Sequence, residues 1–81
     1  MEEEDRELAK EVAQILAAAL DRSADEITPD TDFFLDLGGS SLDYFAAMTN
    51  IQNEYGVPFL AADGTGAATV REIVAYIKAN A

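Results

Sequence analysis

The chain has 81 residues and contains neither cysteine nor histidine. This composition excludes disulfides, structural zinc sites and Cys-His or Ser-His catalytic relays. Sixteen acidic residues against five basic ones give a net charge of −11, which repels nucleic-acid phosphates and anionic membrane surfaces. We therefore expect one domain, residues 1–81, with no catalytic activity and no metal site, whose partners are proteins rather than nucleic acids.

Apolar residues recur at helical spacing near the N-terminus and predict a first helix from roughly Asp5 to Arg22. Residues Met1 to Glu4 are expected to form a loose acidic tail, because chain termini are commonly unanchored. This N-terminus is the opposite of a cationic signal peptide, and no apolar stretch is long enough to span a bilayer. The expected location is the cytoplasm, without membrane insertion.

A long structured loop is predicted between Ser23 and Gly39, where helical periodicity is lost and Pro29 lies among Asp and Thr residues. Loops of this length in a small domain are commonly anchored or functional. We expect four apolar side chains to anchor it in the core rather than to contact a ligand: Ile27, Phe33, Phe34 and Leu35.

A second helix is predicted from about Ser41 to Tyr55, ended by the Gly56-Val57-Pro58 run. Apolar residues at spacings of three and four are expected to form its buried face: Leu42, Phe45, Met48, Ile51 and Tyr55. The glycine-containing segment from Phe59 to Ala68 is expected to be a loop with at most a short helical turn.

The last helix is predicted to open at Thr69, which forms a capping-box pattern with Glu72. Its expected buried face consists of Val70, Ile73, Val74 and Ile77. No segment has a strand pattern. The predicted fold is therefore all-α: a small bundle of three main helices, with a weak short fourth one before the last and a long first loop.

Two adjacent serines lie where this loop gives way to the second helix. Ser40, with Asp43 at the third helical position, fits a helix N-cap. Ser41 then occupies the first helical position, and its hydroxyl points outward beside unsatisfied amides, where a phosphate is favoured. Gly38 and Gly39 permit close approach and unusual dihedral angles. A Gly-Gly-Ser-Ser run alone is typical of a flexible loop, but its position before an amphipathic helix favours a site.

The run from Asp36 to Asp43 resembles the attachment motif of acyl and peptidyl carrier proteins, in which a serine before a leucine receives 4'-phosphopantetheine from coenzyme A. The order and spacing of the family's features agree from roughly Leu8 to Ile77. The resemblance implies an acyl-carrier-type bundle in which a phosphopantetheinyl transferase, using magnesium, modifies Ser41. The arm would hold acyl or aminoacyl thioesters for fatty-acid, polyketide or nonribosomal-peptide-type biosynthesis.

The same resemblance implies that a monomer is served by adenylating, acyltransferase, ketosynthase or condensation-type enzymes. The family's partners dock around the modified serine, and the corresponding positions are Asp43, Tyr44, Phe45, Ala46 and Thr49. Ser40 stands where many carriers have Asp or His, and the second helix carries few acids. The Gly-Gly pair is more similar to peptidyl carriers, or to domains that follow adenylating enzymes, than to fatty-acid carriers.

Two other kinds of site, a calcium-binding loop and a hydrolase nucleophile elbow, fit the sequence less well than a carrier motif does. A calcium loop starting at Asp30 would place Phe34 at its third ligand position, and a hydrolase elbow would need a second glycine and a histidine. The remaining alternative is an unmodified acidic helical interaction module in which Ser40 and Ser41 only cap a helix. The sequence leaves the cargo open; Met1 favours a discrete protein over a domain of a larger synthetase.

Overall fold

The computed structural model describes residues 3–58 and 67–80. Three α-helices and one turn of 3-10 helix follow one another in this part of the chain: α1 (Glu3–Leu20), the 3-10 turn (Ala24–Glu26), α2 (Ser41–Tyr55) and α3 (Val70–Asn80). The described ranges contain no strand, and the single isolated bridge joins Asp32 to Thr69. The predicted all-α bundle is therefore confirmed. The short helix expected before α3 falls mostly outside the described residues.

Helix α1 begins two residues earlier than predicted, so the backbone of Glu3 and Glu4 is helical rather than part of a tail. It also ends earlier, at Leu20. Asp21 takes a left-handed conformation with φ of 55°, and the Arg22 amide donates to the Ala17 carbonyl at 2.9 Å. A left-handed residue of this kind is a common way to end a helix.

The three helices enclose one hydrophobic core, which is the main source of stability in so small a domain. The predicted face of α3 is confirmed, and α1 contributes small as well as branched side chains. The buried residues of these two helices are Ala9, Val12, Ala13, Leu16, Ala17, Val70, Ile73, Val74 and Ile77. None of the described helices is long and apolar enough to cross a membrane.

The buried face of α2 differs from the prediction. Met48 and Ile51 are buried, but Leu42 is 79% and Phe45 is 59% exposed, while Tyr44 faces the core. The reason is geometric: at 3.6 residues per turn, Leu42 lies about 180° and Phe45 about 120° around the helix from Ile51, whereas Tyr44 lies within about 20°. Residues spaced strictly three apart do not remain on one face of a helix with 3.6 residues per turn, so this spacing leads away from the buried face.

The long loop is anchored by fewer residues than predicted. Phe33 is fully buried and Ile27 packs partly against the core. Leu35 is 87% exposed, so the prediction is wrong for this residue. Phe34 is 39% exposed and its ring packs against those of Phe33 and Tyr44, so it anchors the loop only in part. The Asp32 carboxylate explains the difference, because it accepts hydrogen bonds from the amides of both Phe34 and Leu35 at 2.8 Å. The resulting turn directs Phe33 inward and Leu35 outward, and it leaves the Phe34 ring at the edge of the core against Phe33 and Tyr44.

The loop is also tied to the start of α3. The Phe33 amide donates to the Ala68 carbonyl at 2.8 Å, and the Arg71 amide donates to the Pro29 carbonyl at 2.9 Å. The Arg71 guanidinium binds the Asp30 carboxylate and, by this hydrogen bond and its charge, lowers the pKa of Asp30. These contacts hold the loop against the bundle.

The capping box predicted at the start of α3 is confirmed. The Thr69 hydroxyl accepts a hydrogen bond from the Glu72 amide at 3.2 Å. In return, the Glu72 carboxylate accepts hydrogen bonds from the amides of Ala68 and Thr69 at 3.0 and 3.1 Å. These backbone donors lower the pKa of Glu72, because they favour its charged form.

Candidate functional site

Ser40 is the N-cap of α2, as predicted. Its backbone is extended, and its hydroxyl oxygen accepts a hydrogen bond from the Asp43 amide at 3.1 Å. The Asp43 carboxylate accepts a hydrogen bond from the Ser40 amide at 3.2 Å. This reciprocal pair occupies both side chains in holding the start of the helix.

Ser41 is the first residue of α2 and is exposed. Within the described part of the chain, its hydroxyl has no hydrogen-bond partner, in contrast to that of Ser40. The first amides of a helix lack intrahelical acceptors and mark the positive end of the helix dipole. A phosphodiester on the Ser41 oxygen is therefore compatible with its surroundings in both space and charge.

The two glycines before the serines have different structural roles. Gly38 has a φ of +66°, a conformation that glycine adopts without steric cost. A Cβ at Gly39 would lie 2.3 Å from the Phe33 ring, so no larger residue fits without displacement. The path of the chain into Ser40 and Ser41 thus depends on close contact with a buried loop residue.

Tyr44 supports the start of α2 from the inside. Its ring centroid lies 5.6 Å from that of Phe33 and 5.1 Å from that of Phe34. Its hydroxyl donates to the Ala67 carbonyl. Burial, and next the negative charge of Glu72, raise the pKa of Tyr44 to about 12. The contacts connect the helix that begins at Ser41 with both the loop and the segment before α3.

The residues predicted to contact partners are not equally accessible. Tyr44 is 9% exposed and supports the site from beneath rather than offering a surface. Phe45 and Ala46 are exposed, and Asp43 and Thr49 are partly exposed. The Thr49 hydroxyl donates to the Phe45 carbonyl at 2.8 Å.

The structure has a group of exposed apolar side chains near Ser41, of which the sequence analysis named only Phe45 as a docking residue. The exposed large hydrophobic residues of the described chain all fall within twelve positions that include Ser41, and we call them the apolar group: Phe34, Leu35, Leu42 and Phe45. Leu42 and Phe45 are neighbours on α2, because residues three apart lie on adjacent turns. The angular positions of these two residues on the helix could have revealed their exposure.

The acidic loop residues are engaged in internal contacts. Asp30 binds Arg71, the Asp32 carboxylate accepts two backbone amides, and the Asp36 carboxylate accepts the Asp32 amide at 2.7 Å. Across residues 3–58 and 67–80, no three potential metal ligands gather into one group. These carboxylates shape the loop.

Two comparisons with known proteins identify the family of this chain. A family model described as a phosphopantetheine attachment site matches residues 10–77. The acyl carrier protein of Treponema denticola is 30% identical over 74 residues, which cover 91% of this chain and 95% of that relative. The match spans most of both sequences. The chain therefore belongs to the phosphopantetheine-binding carrier protein family, whose prosthetic group is covalently attached 4'-phosphopantetheine.

Proposed function

We propose that this chain is a non-catalytic carrier that holds acyl or aminoacyl groups on a 4'-phosphopantetheine arm attached to the Ser41 hydroxyl. The observation that carries this proposal is the exposure of Ser41 at the first position of α2 while its neighbour Ser40 serves as the cap. When bound, the group supplies a terminal thiol that forms thioesters. The protein contributes position and access.

The choice of Ser41 over Ser40 follows from their hydrogen bonds. The Ser40 oxygen already accepts the Asp43 amide, and a substituent there would disturb the cap, which is worth about 0.5 to 2 kcal/mol. The Ser41 oxygen has no such function in the described structure, and a phosphate there lies near the free amides of the first turn. Attachment at Ser41 therefore leaves the fold intact.

The surface around Ser41 supports partners that bind through apolar contact. Leu42 and Phe45 are exposed, while the nearby Asp43 carboxylate is hydrogen-bonded within the cap. We assign docking of the transferase and of adenylating, acyltransferase, ketosynthase or condensation-type enzymes to these residues, with Ala46 and Thr49 beside them. The carrier is proposed to act as a cytoplasmic monomer in fatty-acid, polyketide or nonribosomal-peptide-type biosynthesis.

Intact-mass measurement tests the attachment site. Incubation with coenzyme A, magnesium and a broad-specificity phosphopantetheinyl transferase is expected to add one phosphopantetheine to the wild type and to Ser40→Ala, and none to Ser41→Ala. Circular dichroism should show that Ser41→Ala remains helical, since alanine is favourable in a helix. An unmodified wild type would instead support a helical interaction module, and a group mapped to Ser40 would overturn the assignment.

A further inference from the structure

Leu35 is the most exposed large apolar residue of the described chain, at 87%. A single exposed leucine is common on protein surfaces and by itself indicates no site. Leu35 is not isolated, however, because the four members of the apolar group lie on both sides of Ser41 in the sequence. Its side chain adds little to the core, so most of its apolar surface is available to another molecule.

The turn that carries Leu35 is held on both sides. Phe33 before it is fully buried, and Leu37 after it is 6% exposed. The Leu35 amide donates to the Asp32 carboxylate at 2.8 Å, and the Leu37 amide donates to the Asp32 carbonyl at 3.2 Å. A side chain on a backbone ordered in this way loses less conformational freedom on binding than one on a loose loop. Leu35 is therefore presented to solvent in a fixed position.

The same turn lies beside the start of α2. The Gly38 amide donates to the Phe34 carbonyl at 3.1 Å, and Ser41 follows Gly38 by three residues, a span of at most about 11 Å. The Phe34 ring also packs against that of Tyr44 in the first turn of α2, with 5.1 Å between their centroids. An ordinary interface covers about 800 Å² of each partner, a patch of about 16 Å radius. A partner centred on Ser41 therefore extends to the turn that carries Leu35.

We propose that Leu35 is a docking residue for the phosphopantetheinyl transferase and enters an apolar pocket of that enzyme. The inference rests on the proposed attachment at Ser41. In that reaction the Ser41 oxygen bonds to the phosphorus next to pantetheine in coenzyme A, adenosine 3',5'-bisphosphate leaves, and the hydroxyl proton passes to a base of the transferase. An enzyme that brings coenzyme A to this oxygen covers the surface beside it. Leu35 touches none of the reacting atoms, so its contribution is to binding.

The carboxylates beside Ser41 favour an apolar contact at this point. The Asp36 carboxylate accepts the Asp32 amide at 2.7 Å, and the Asp43 carboxylate accepts the Ser40 amide at 3.2 Å. A basic side chain of a partner would compete with these hydrogen bonds, which shape the turn and cap the helix. A pocket that receives Leu35 leaves both of them in place.

Titration calorimetry with a broad-specificity phosphopantetheinyl transferase, coenzyme A and magnesium tests the proposal. The full-length protein carries Ser41→Ala, so that binding is measured without modification. Adding Leu35→Ala should raise the dissociation constant about ten-fold, the scale of truncating one buried leucine side chain. Leu35→Met keeps the apolar volume and should retain most of the affinity. Gln52→Ala, at an exposed position further along α2, should change the affinity by less than about two-fold.

Two further measurements separate docking from a structural role. With Ser41 present, Leu35→Ala should raise KM about ten-fold and leave kcat nearly unchanged, the pattern of lost binding that is equal in ground and transition states. Its melting temperature should change by less than about 3 °C, because the side chain is exposed.

Several results would overturn the docking role: no detectable binding, unchanged affinity in Leu35→Ala, an equal loss in Gln52→Ala, or a large fall in melting temperature. A wild type that is dimeric in sedimentation and becomes monomeric in Leu35→Ala would show that a second copy of the chain occupies this face instead. Binding that depends on Leu35 without any modification of the wild type would count against the carrier function alone. Normal modification with binding independent of Leu35 would count against the docking residue alone.

Discussion

The ring of Phe33 occupies the space that a side chain at Gly39 would require. A Cβ on Gly39 would lie 2.3 Å from the Cε2 atom and 2.9 Å from the Cζ atom of that ring. The same two residues are joined by a hydrogen bond from the Gly39 amide to the Phe33 carbonyl at 3.0 Å. Since Phe33 is fully buried, this contact positions the turn that leads into the serine pair.

Gly39→Ala should therefore lower the free energy of unfolding by about 1 to 3 kcal/mol, the usual cost of overpacking a core. Urea unfolding measures this loss. Gly38→Ala is the matched control: nothing lies within 4 Å of its Cβ, but its φ is +66°, so about 1 kcal/mol of backbone strain is expected.

If the clash with the Phe33 ring destabilises Gly39→Ala, a smaller side chain at position 33 should relieve it. Shortening the opposing ring with Phe33→Leu should cost less stability in the Gly39→Ala background than in the wild type, because the two substitutions relieve each other. Additive losses would show that the Phe33 ring moves aside freely and that the contact does not position the turn.

The boundaries of α2 could be predicted because their signals are local. Ser40 and Asp43 form a cap from four consecutive residues, and Gly56 ends the helix in a left-handed conformation. The same kind of local signal is present at Ser23, which forms a capping box with Glu26 around the 3-10 turn. A serine followed three residues later by a glutamate was sufficient evidence for that turn.

The orientation of loop side chains could not be predicted in this way. Phe33 and Phe34 are adjacent and chemically identical, yet only the first is fully buried. The choice depends on the Asp32 carboxylate that shapes the turn and on the bond from the Phe33 amide to the distant Ala68 carbonyl. Contacts between residues far apart in sequence leave no local pattern.

Ser40→Ala should lower the free energy of unfolding by about 0.5 to 2 kcal/mol, because it removes the acceptor for the Asp43 amide. Ser41→Ala should have a much smaller effect, since alanine is favourable within a helix. Chemical unfolding of the two variants under identical conditions compares them. An equal loss in both would mean that Ser41 also has a capping function.

Moderate salt should raise the melting temperature. The net charge of −11 on a small surface produces repulsion within the folded state, and salt screens it. Salt also weakens the three ion pairs, each of which has at least one exposed partner. This weakening lowers the stability, but ion pairs at the surface contribute little individually. Calorimetry from low to moderate sodium chloride concentration measures the net effect. A flat or falling melting temperature would show that the acids are already locally compensated.

Phe45→Ala should reduce loading by a cognate adenylating or acyl-transferring enzyme while changing stability little. Phe45 is 59% exposed, and exposed aromatic residues commonly provide much of the binding energy at interfaces. The loss of stability should be well below the roughly 3 to 5 kcal/mol expected for the buried Phe33→Ala. Loading kinetics and thermal unfolding of both variants provide the measurement.

Gln52→Ala is a suitable control for Phe45→Ala, because Gln52 is an exposed residue further along α2. The cognate enzyme should load the Gln52→Ala variant as fast as it loads the wild type. If Phe45→Ala loads normally, the apolar docking surface loses its main support. If it instead unfolds as easily as Phe33→Ala, the residue has a packing role.

Stability should fall as the pH rises from 10 to 12, because the pKa of Tyr44 is raised from its ordinary value of 10.0 to about 12. Burial, with the charge of Glu72 as the second cause, favours the neutral phenol in the folded state. The unfolded chain releases this proton at lower pH. The contribution of Tyr44 is therefore complete below pH 10 and is lost through the folded pKa.

Tyr44→Phe should reduce this alkaline loss of stability. At neutral pH it should cost about 0.5 to 1.5 kcal/mol, because the Ala67 carbonyl loses its donor. Tyr55 also has a raised pKa, caused first by burial and then by its bond to Glu11, so the alkaline slope should shrink rather than vanish. Tyr55→Phe provides the comparison. Urea unfolding at intervals from pH 8 to pH 12 measures each slope, and an unchanged slope in Tyr44→Phe would mean that the Tyr44 hydroxyl titrates alike in both states.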